Sequence, residues 1–294
     1  MDLKQLQYFI AVVEHMNYSK AAEKLHISQP SLSNAIKKLE QEIGSQLLER
    51  NTRNLHLTEA GQLLYERAKA ILKNMEILKI EMDEVIVHGT SEITIGVMES
   101  IKHWLPKVIT VYKQIYPQMK IHLVDILGSK RVKKSLRSYK THLIITNQLI
   151  DDEEFEVRCL YEERLVAVLP LHHPLAAKDK LTIADLCNEP FIISTEGFQT
   201  RQDILKTFEN AGKDLNIQFE IERFETAVSL VRESLGITIL PENYLQGPTA
   251  KTIVQKEIDC PTFRRNVYLV YLKNRHLPFA ISQLIDDIDH FFNK

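Results

Sequence analysis

Apolar residues keep a helical rhythm through about residue 88, and beyond Gly89 that rhythm gives way to short apolar runs alternating with helical stretches. A chain whose hydrophobic period changes once in this way divides into a helical head and an α/β body. Its 294 residues suit a small domain followed by a larger one. The expected boundaries are 1–58 for the head, 59–88 for a connecting helix and 89–294 for the body.

In the head, Leu3, Leu6, Phe9, Ile10 and Val13 recur at helical spacing. Asn17 can cap a second, short helix that turns Tyr18, Ala21, Ala22 and Leu25 inward. Ser28 caps a third, where Pro30 is tolerated because first-turn amides have no helical acceptor. Its apolar stripe is Leu32, Ala35, Ile36 and Leu39, and its other face is polar. Two short helices joined by a tight turn, the second polar outside, match a helix-turn-helix. After Gly44, the run from Leu47 to Leu57 reads as a hairpin with a polar, basic tip, which makes the motif winged.

From Thr58 to about His88 the pattern is one helix of about 45 Å at 1.5 Å per residue. Leu64, Ala68, Ile71, Met75, Leu78, Met82 and Val85 step alternately by four and three, a heptad seam. Such a stripe can pack on its own domain or on a second copy. Its length and strict alternation favour a dimer.

In the body, apolar runs at Ile93–Val97, Ile121–Val124, Leu143–Ile145, Leu165–Leu169, Phe191–Ile193 and Ile237–Leu240 read as strands. Helical stretches lie between most of them, so parallel sheets flanked by helices are expected. The body divides into two lobes, with a crossover near Tyr161 to Arg164. Lobe I takes about 89–162 and, through the strand Val267–Leu272 and the helix Phe279–Phe292, 267–294; lobe II takes about 163–266. Ser100, Ser129 and Thr195 each follow a strand and precede a helix, where hydroxyls and free amides converge on a cleft suited to an anionic ligand. Gln199 and Arg201 are nearby candidates, and the plainer reading of each hydroxyl is an ordinary helix cap.

The net charge of −2 argues against general polyanion binding. Residues 1–60 hold seven Lys or Arg and seven Asp or Glu, so a DNA reading rests on where charges sit. Gln29 and Ser31 are the expected base readers, Ser33 and Lys37 the expected phosphate contacts, with Pro30 and Asn34 on the same helix. Arg50 is either an ion-pair residue or a backbone contact; Arg53 at the wing tip is the better contact.

Cys159, Cys187 and Cys260 are far apart and lack a C-x-x-C spacing, so no disulfide framework or zinc site is assigned; they read as structural, with a redox switch as the alternative. His172-His173 precedes Pro174 in a turn and has no third ligand at metal spacing. With no nucleophile elbow, phosphate-cradling loop or dinucleotide fingerprint, neither enzyme nor cofactor is expected. No run approaches the roughly 18 apolar residues of a membrane span, and the first residues lead into an amphipathic pattern, so a cytoplasmic protein without membrane contact is expected.

The stretch Ala21-Ala22, Leu25, Ser28-Gln29-Pro30-Ser31-Leu32-Ser33, Ile36, Leu39-Glu40, Gly44, Leu47-Leu48, Arg50 and Leu57-Thr58-Glu59-Ala60-Gly61 closely resembles the LysR-type transcriptional regulators. Weaker echoes at Leu105-Pro106, His173-Pro174-Leu175, Pro190-Phe191 and Leu235-Gly236-Ile237 extend the resemblance over nearly the whole chain. It implies a dimer, often assembling into a tetramer, with a body like a two-lobed periplasmic binding protein and its ligand cleft. The implied partners are operator DNA, a second copy of the chain and a small-molecule effector, with RNA polymerase a further candidate. Leu47-Leu48 stands where the family usually has leucine-phenylalanine, and Asn34 replaces its recognition-helix arginine. A solute-binding transport protein and a nucleic-acid enzyme are the competing classes. The helical head argues against the first and the absence of carboxylate or metal clusters against the second.

Overall fold

The computed structural model describes residues 1–50, 55–88, 92–245 and 252–292. The chain forms two compact units, Met1–Ile86 and Val87–Lys294.

The first unit opens with α1 (Leu3–His15), α2 (Tyr18–Lys24) and α3 (Gln29–Ile43). Each helix starts on a side chain that accepts from an otherwise unpaired first-turn amide. Asp2 accepts from Gln5, Asn17 from Lys20 and Ser28 from Ser31. Phe9, Val12, Ala21, Ala22, Leu32, Ile36 and Leu39 bury one shared core, and the alanines let α2 lie close to its neighbours. The wing strands β1 (Leu48–Arg50) and β2 (Leu55–Leu57) pair antiparallel, and Glu40 of α3 accepts from the amides of Leu47 and Leu48 at 2.8 and 3.2 Å. The polar ladder of the wing is thus pinned to the third helix by one carboxylate.

Next comes α4 (Glu59–His88). Thr58 accepts from the Gly61 amide and donates to the Gln46 carbonyl, and a Cβ at Gly61 would collide with the Leu47 carbonyl oxygen. The stripe along α4 has two parts. Ala68 is fully buried and Leu64 packs against the core of its own unit, so these two belong to intramolecular packing rather than to a dimer seam. Ile71, Leu78 and Met82 are 42%, 50% and 46% exposed, and Met75 is half-buried. The Val85 side chain lies outside the described residues.

The second unit begins with β3 (Glu92–Val97), a 3-10 turn at Glu99–His103, α5 (Leu105–Ile115), β4 (Lys120–Asp125), α6 (Ser129–Arg137) and β5 (Leu143–Thr146). The 16-residue β6 (Phe155–Pro170) follows, then β7 (Lys180–Leu181), α7 (Ile183–Leu186), β8 (Phe191–Ser194) and α8 (Gln199–Asn210). Next are β9 (Ile217–Ile221), α9 (Phe224–Arg232), β10 (Thr238–Pro241), a 3-10 turn at Glu242–Leu245 and β11 (Ile253–Ile258). The unit closes with β12 (Arg264–Leu272) and α10 (Phe279–Phe292).

Strands β3, β4 and β5 are parallel, and β12 returns antiparallel between β5 and β6. In the other lobe β10 and β11 flank the end of β6, both antiparallel, while β8 pairs parallel with β9 and bridges to Ile237. The sheets are therefore mixed rather than purely parallel, because β6 leaves the first lobe and β12 re-enters it. Residues 155–164 of β6 pair with β12, and residues 165–170 pair with β10 and β11. This division explains the unbroken apolar run at the end of β6. Leu165, Ala167 and Leu169 enter one core of the second lobe, while Val166 and Val168 enter the core on the opposite face. In the first lobe, Ile93, Ile95, Tyr112, Leu143 and Leu269 pack with α10 on one side, and Val132, Leu136 and Ile144 fill the other.

Candidate functional site

In the first unit the buried stripe of α3 turns the opposite side of that helix outward. Gln29, Pro30, Ser31, Asn34 and Lys37 are exposed and Ser33 is half-buried. Ser31 is partly engaged, since its hydroxyl lies 2.8 Å from that of Ser28. Gln29, Asn34 and Lys37 thus offer an amide, a second amide and an ammonium on one helix face, the groups that read base edges and neutralise phosphates. Arg50 sits in β1 opposite Leu55, with only its backbone described; Arg53 lies outside the described residues.

In the second unit a cleft separates the lobes, and β6 and β12 cross beneath it. Its inner part encloses about 30 Å³ among Glu99, Ser100, Gln148, Phe198, Thr200 and Arg265. Its mouth is far wider, about 920 Å³, and carries Ser129, Lys130, Arg131, Thr195, Gln199 and Arg223 together with the carboxylates of Glu99, Asp125, Glu196 and Glu222. Ser129, Thr195 and Gln199 thus share the mouth, whereas Ser100 lies in the inner part. The Thr195 amide is spent on Ile221, and Gln199 donates to Asp203 at 2.7 Å. Arg201 is a correction to the sequence reading. Its guanidinium turns away to the Ser194 carbonyl at 2.7 Å and Glu220 at 2.9 Å, an ion pair beside the sheet.

The floor holds a network that sequence reasoning missed. Glu163 and Arg265 are opposite residues of β6 and β12, with side chains 0% and 7% exposed. Arg265 reaches Glu163 Oε1 through Nε at 2.7 Å and Nη2 at 2.6 Å, and donates from Nη1 to Thr200 at 2.6 Å. Ser100 donates to the same carboxylate oxygen at 3.3 Å. The nearby negative charge of Glu163 and, above all, burial push the Tyr161 phenol well above its ordinary range.

A clasp joins the lobes above this floor. Glu99 accepts from the Phe224 amide at the start of α9 at 3.0 Å and from the Tyr244 hydroxyl at 3.1 Å. His103 Nε2 donates to the Tyr244 carbonyl at 2.9 Å, and the Lys102 ammonium stands 3.4 Å from the centre of the Tyr244 ring. Desolvation there lowers the Lys102 pKa, against the pull of Glu99 and Glu225. Arg223 and Asp125, 3.7 Å apart, span the mouth as an exposed pair.

Among the described residues no three His, Cys, Asp or Glu gather as a metal site, and no helix is long and apolar enough to cross a membrane. Cys159 is exposed; Cys187 and Cys260 are half-buried.

A winged helix-turn-helix with an outward polar helix, followed by a two-lobed α/β unit with a lined cleft, defines a ligand-responsive DNA-binding regulator. Residues 3–62 match the family of bacterial regulatory helix-turn-helix proteins of the lysR type, and residues 88–292 match the LysR substrate binding domain. The chain belongs to the LysR family of DNA-binding transcription regulators, with a C-terminal effector-binding domain. It is 30% identical to the transcriptional dual regulator GltC of Bacillus subtilis over 297 residues, covering 100% of this chain and 98% of that protein. Identity to the RuBisCO operon transcriptional regulator of Allochromatium vinosum is 29%, covering 94% and 92%. Among solved structures, HinK, a LysR family regulator from Pseudomonas aeruginosa, is 27% identical with a TM-score of 0.59, covering 98% of each chain.

Proposed function

We propose that this regulator grips an operator as a dimer through α3 and the wing, and that a small polar ligand with an anionic group, held in the interlobe cleft, sets the strength or spacing of that grip. The observation that carries the reading is the cleft mouth itself. Ser129, Thr195, Lys130 and Arg131 gather there beside the first turns of α6 and α8, groups suited to an anion, while Asp125, Glu196 and Glu222 on the same rim suit a cationic group of the same ligand. On the DNA side the reading assigns Gln29 and Ser31 to bases and Ser33, Asn34 and Lys37 to the backbone. Arg50 and Arg53 of the wing serve the backbone or minor groove. RNA polymerase is the further partner such a regulator addresses, and the reading puts the protein in the cytoplasm.

Gln29→Ala is expected to cost about 1–3 kcal/mol of discrimination between operator and random DNA, if the amide makes a bidentate base contact. Competition binding at fixed salt measures it; unchanged discrimination removes Gln29 as a reader. For the cleft, Ser129→Ala combined with Thr195→Ala is expected to leave operator affinity intact and abolish the response to metabolite extracts in a gel-shift titration. A full response would move the ligand elsewhere.

A further inference from the structure

The inner cleft and its mouth differ in what they can hold. Among the described residues two ionisable groups line the inner part, Glu99 and Arg265. Arg265 is already neutralised by Glu163 and held by Thr200. Glu99 accepts only from neutral donors, Phe224 and Tyr244, and among the described residues it has no salt-bridge partner. The neighbouring Lys102 ammonium is engaged with the Tyr244 ring. Beneath Ser100, the second oxygen of Glu163 is buried without a hydrogen-bond partner. Two carboxylates therefore face one guanidinium, and an anion entering this far would be repelled. Phe198 and Phe224 also line this space, and an aromatic ring beside an ammonium favours it. By the same measure the inner space is far smaller than the mouth, about 30 Å³ against about 920 Å³, which favours a small cationic head over a bulky one.

We propose that the inner cleft receives a protonated primary amine, read by Glu99 with Phe198 and Phe224, so that the effector is a zwitterion: an amine inside and an anionic group at the mouth near Lys130 and Arg131. This rests on the cleft reading above and narrows its ligand class. On arrival the ammonium competes with the Tyr244 hydroxyl for Glu99, which ties ligand identity to the clasp between the lobes.

The test is calorimetric titration of the full-length protein with matched probes: amino acids and ω-amino acids of two to six carbons, their deaminated acids, and the corresponding simple amines. The expected result is binding of one or more aminated acids at least tenfold tighter than the deaminated counterpart. Glu99→Gln should erase that margin, and Phe198→Leu, which keeps bulk without the ring, should reduce it several-fold should Glu99→Gln fail to fold. If deaminated acids bind as well or better, and Ser129→Ala with Thr195→Ala abolishes that binding, the amine pocket is wrong while the cleft reading stands. If no probe binds, or binding survives both the Glu99 and the mouth variants, the amine assignment is overturned; survival in the mouth variant removes the cleft reading with it.

Discussion

Replacing Arg265 with methionine is expected to destabilise the second unit by about 3–5 kcal/mol, because it leaves the Glu163 charge buried and unpaired. The pair lies at 2.6 Å with side chains 0% and 7% exposed, so little water reaches the abandoned carboxylate. Glu163→Leu together with Arg265→Met removes both charges and should recover most of the loss, since desolvation largely offsets the attraction within a buried pair. Urea melts followed by the fluorescence of Trp104 report on this unit alone. Trp104 is the chain's single tryptophan and packs in the first lobe against Tyr161 and Phe292. A single variant within about 1 kcal/mol of the parent would mean that the floor relaxes or takes up water more readily than its burial implies.

The second large effect concerns α4. Leu78→Glu is expected to convert the dimer to monomers and to weaken operator binding by roughly a hundredfold or more, as the avidity of two linked heads is lost. Leu78 is half exposed on the isolated chain, so a glutamate there costs the monomer little; buried against a partner it would be an unpaired charge in an apolar seam. Sedimentation velocity showing an intact dimer would dismiss the outer α4 stripe as the interface.

The helix-turn-helix was legible because its determinants are local. Caps at Asn17 and Ser28, the stripe from Leu32 to Leu39 and the stop at Gly44 all act within a few residues of where they sit. Strands buried on both faces were legible as apolar runs. By contrast β9, Ile-Gln-Phe-Glu-Ile, alternates because one side of it is exposed, and β11, Ile-Val-Gln-Lys-Glu-Ile, dilutes the signal with three polar residues at its centre, two of them half-buried. The heptad stripe on α4 specifies a face without specifying what covers it, which is why Leu64 turns out to pack on its own unit's core and Ala68 to be buried within the single chain. Arg201 stood close in sequence to cleft residues, yet its partners Ser194 and Glu220 draw it to the sheet. Glu163 and Arg265 are 102 residues apart, and only the antiparallel crossing of β6 and β12 makes them neighbours. No local pattern marks either as a member of the site.

The tight seating of Gly61 against Leu47, with Thr58 tying Gln46 and Glu40 tying Leu47 and Leu48, has a mechanical consequence. Recognition helix, wing root and the first turn of the long helix are held together as one block, so a rotation of α4 is expected to carry the whole head with it. Such a rotation would reorient the head as a unit, and the base contacts offered by α3 are expected to stay as they are. Footprints with and without effector should then differ in the distance or phase between protected half-sites, while the base preferences within each half-site stay the same.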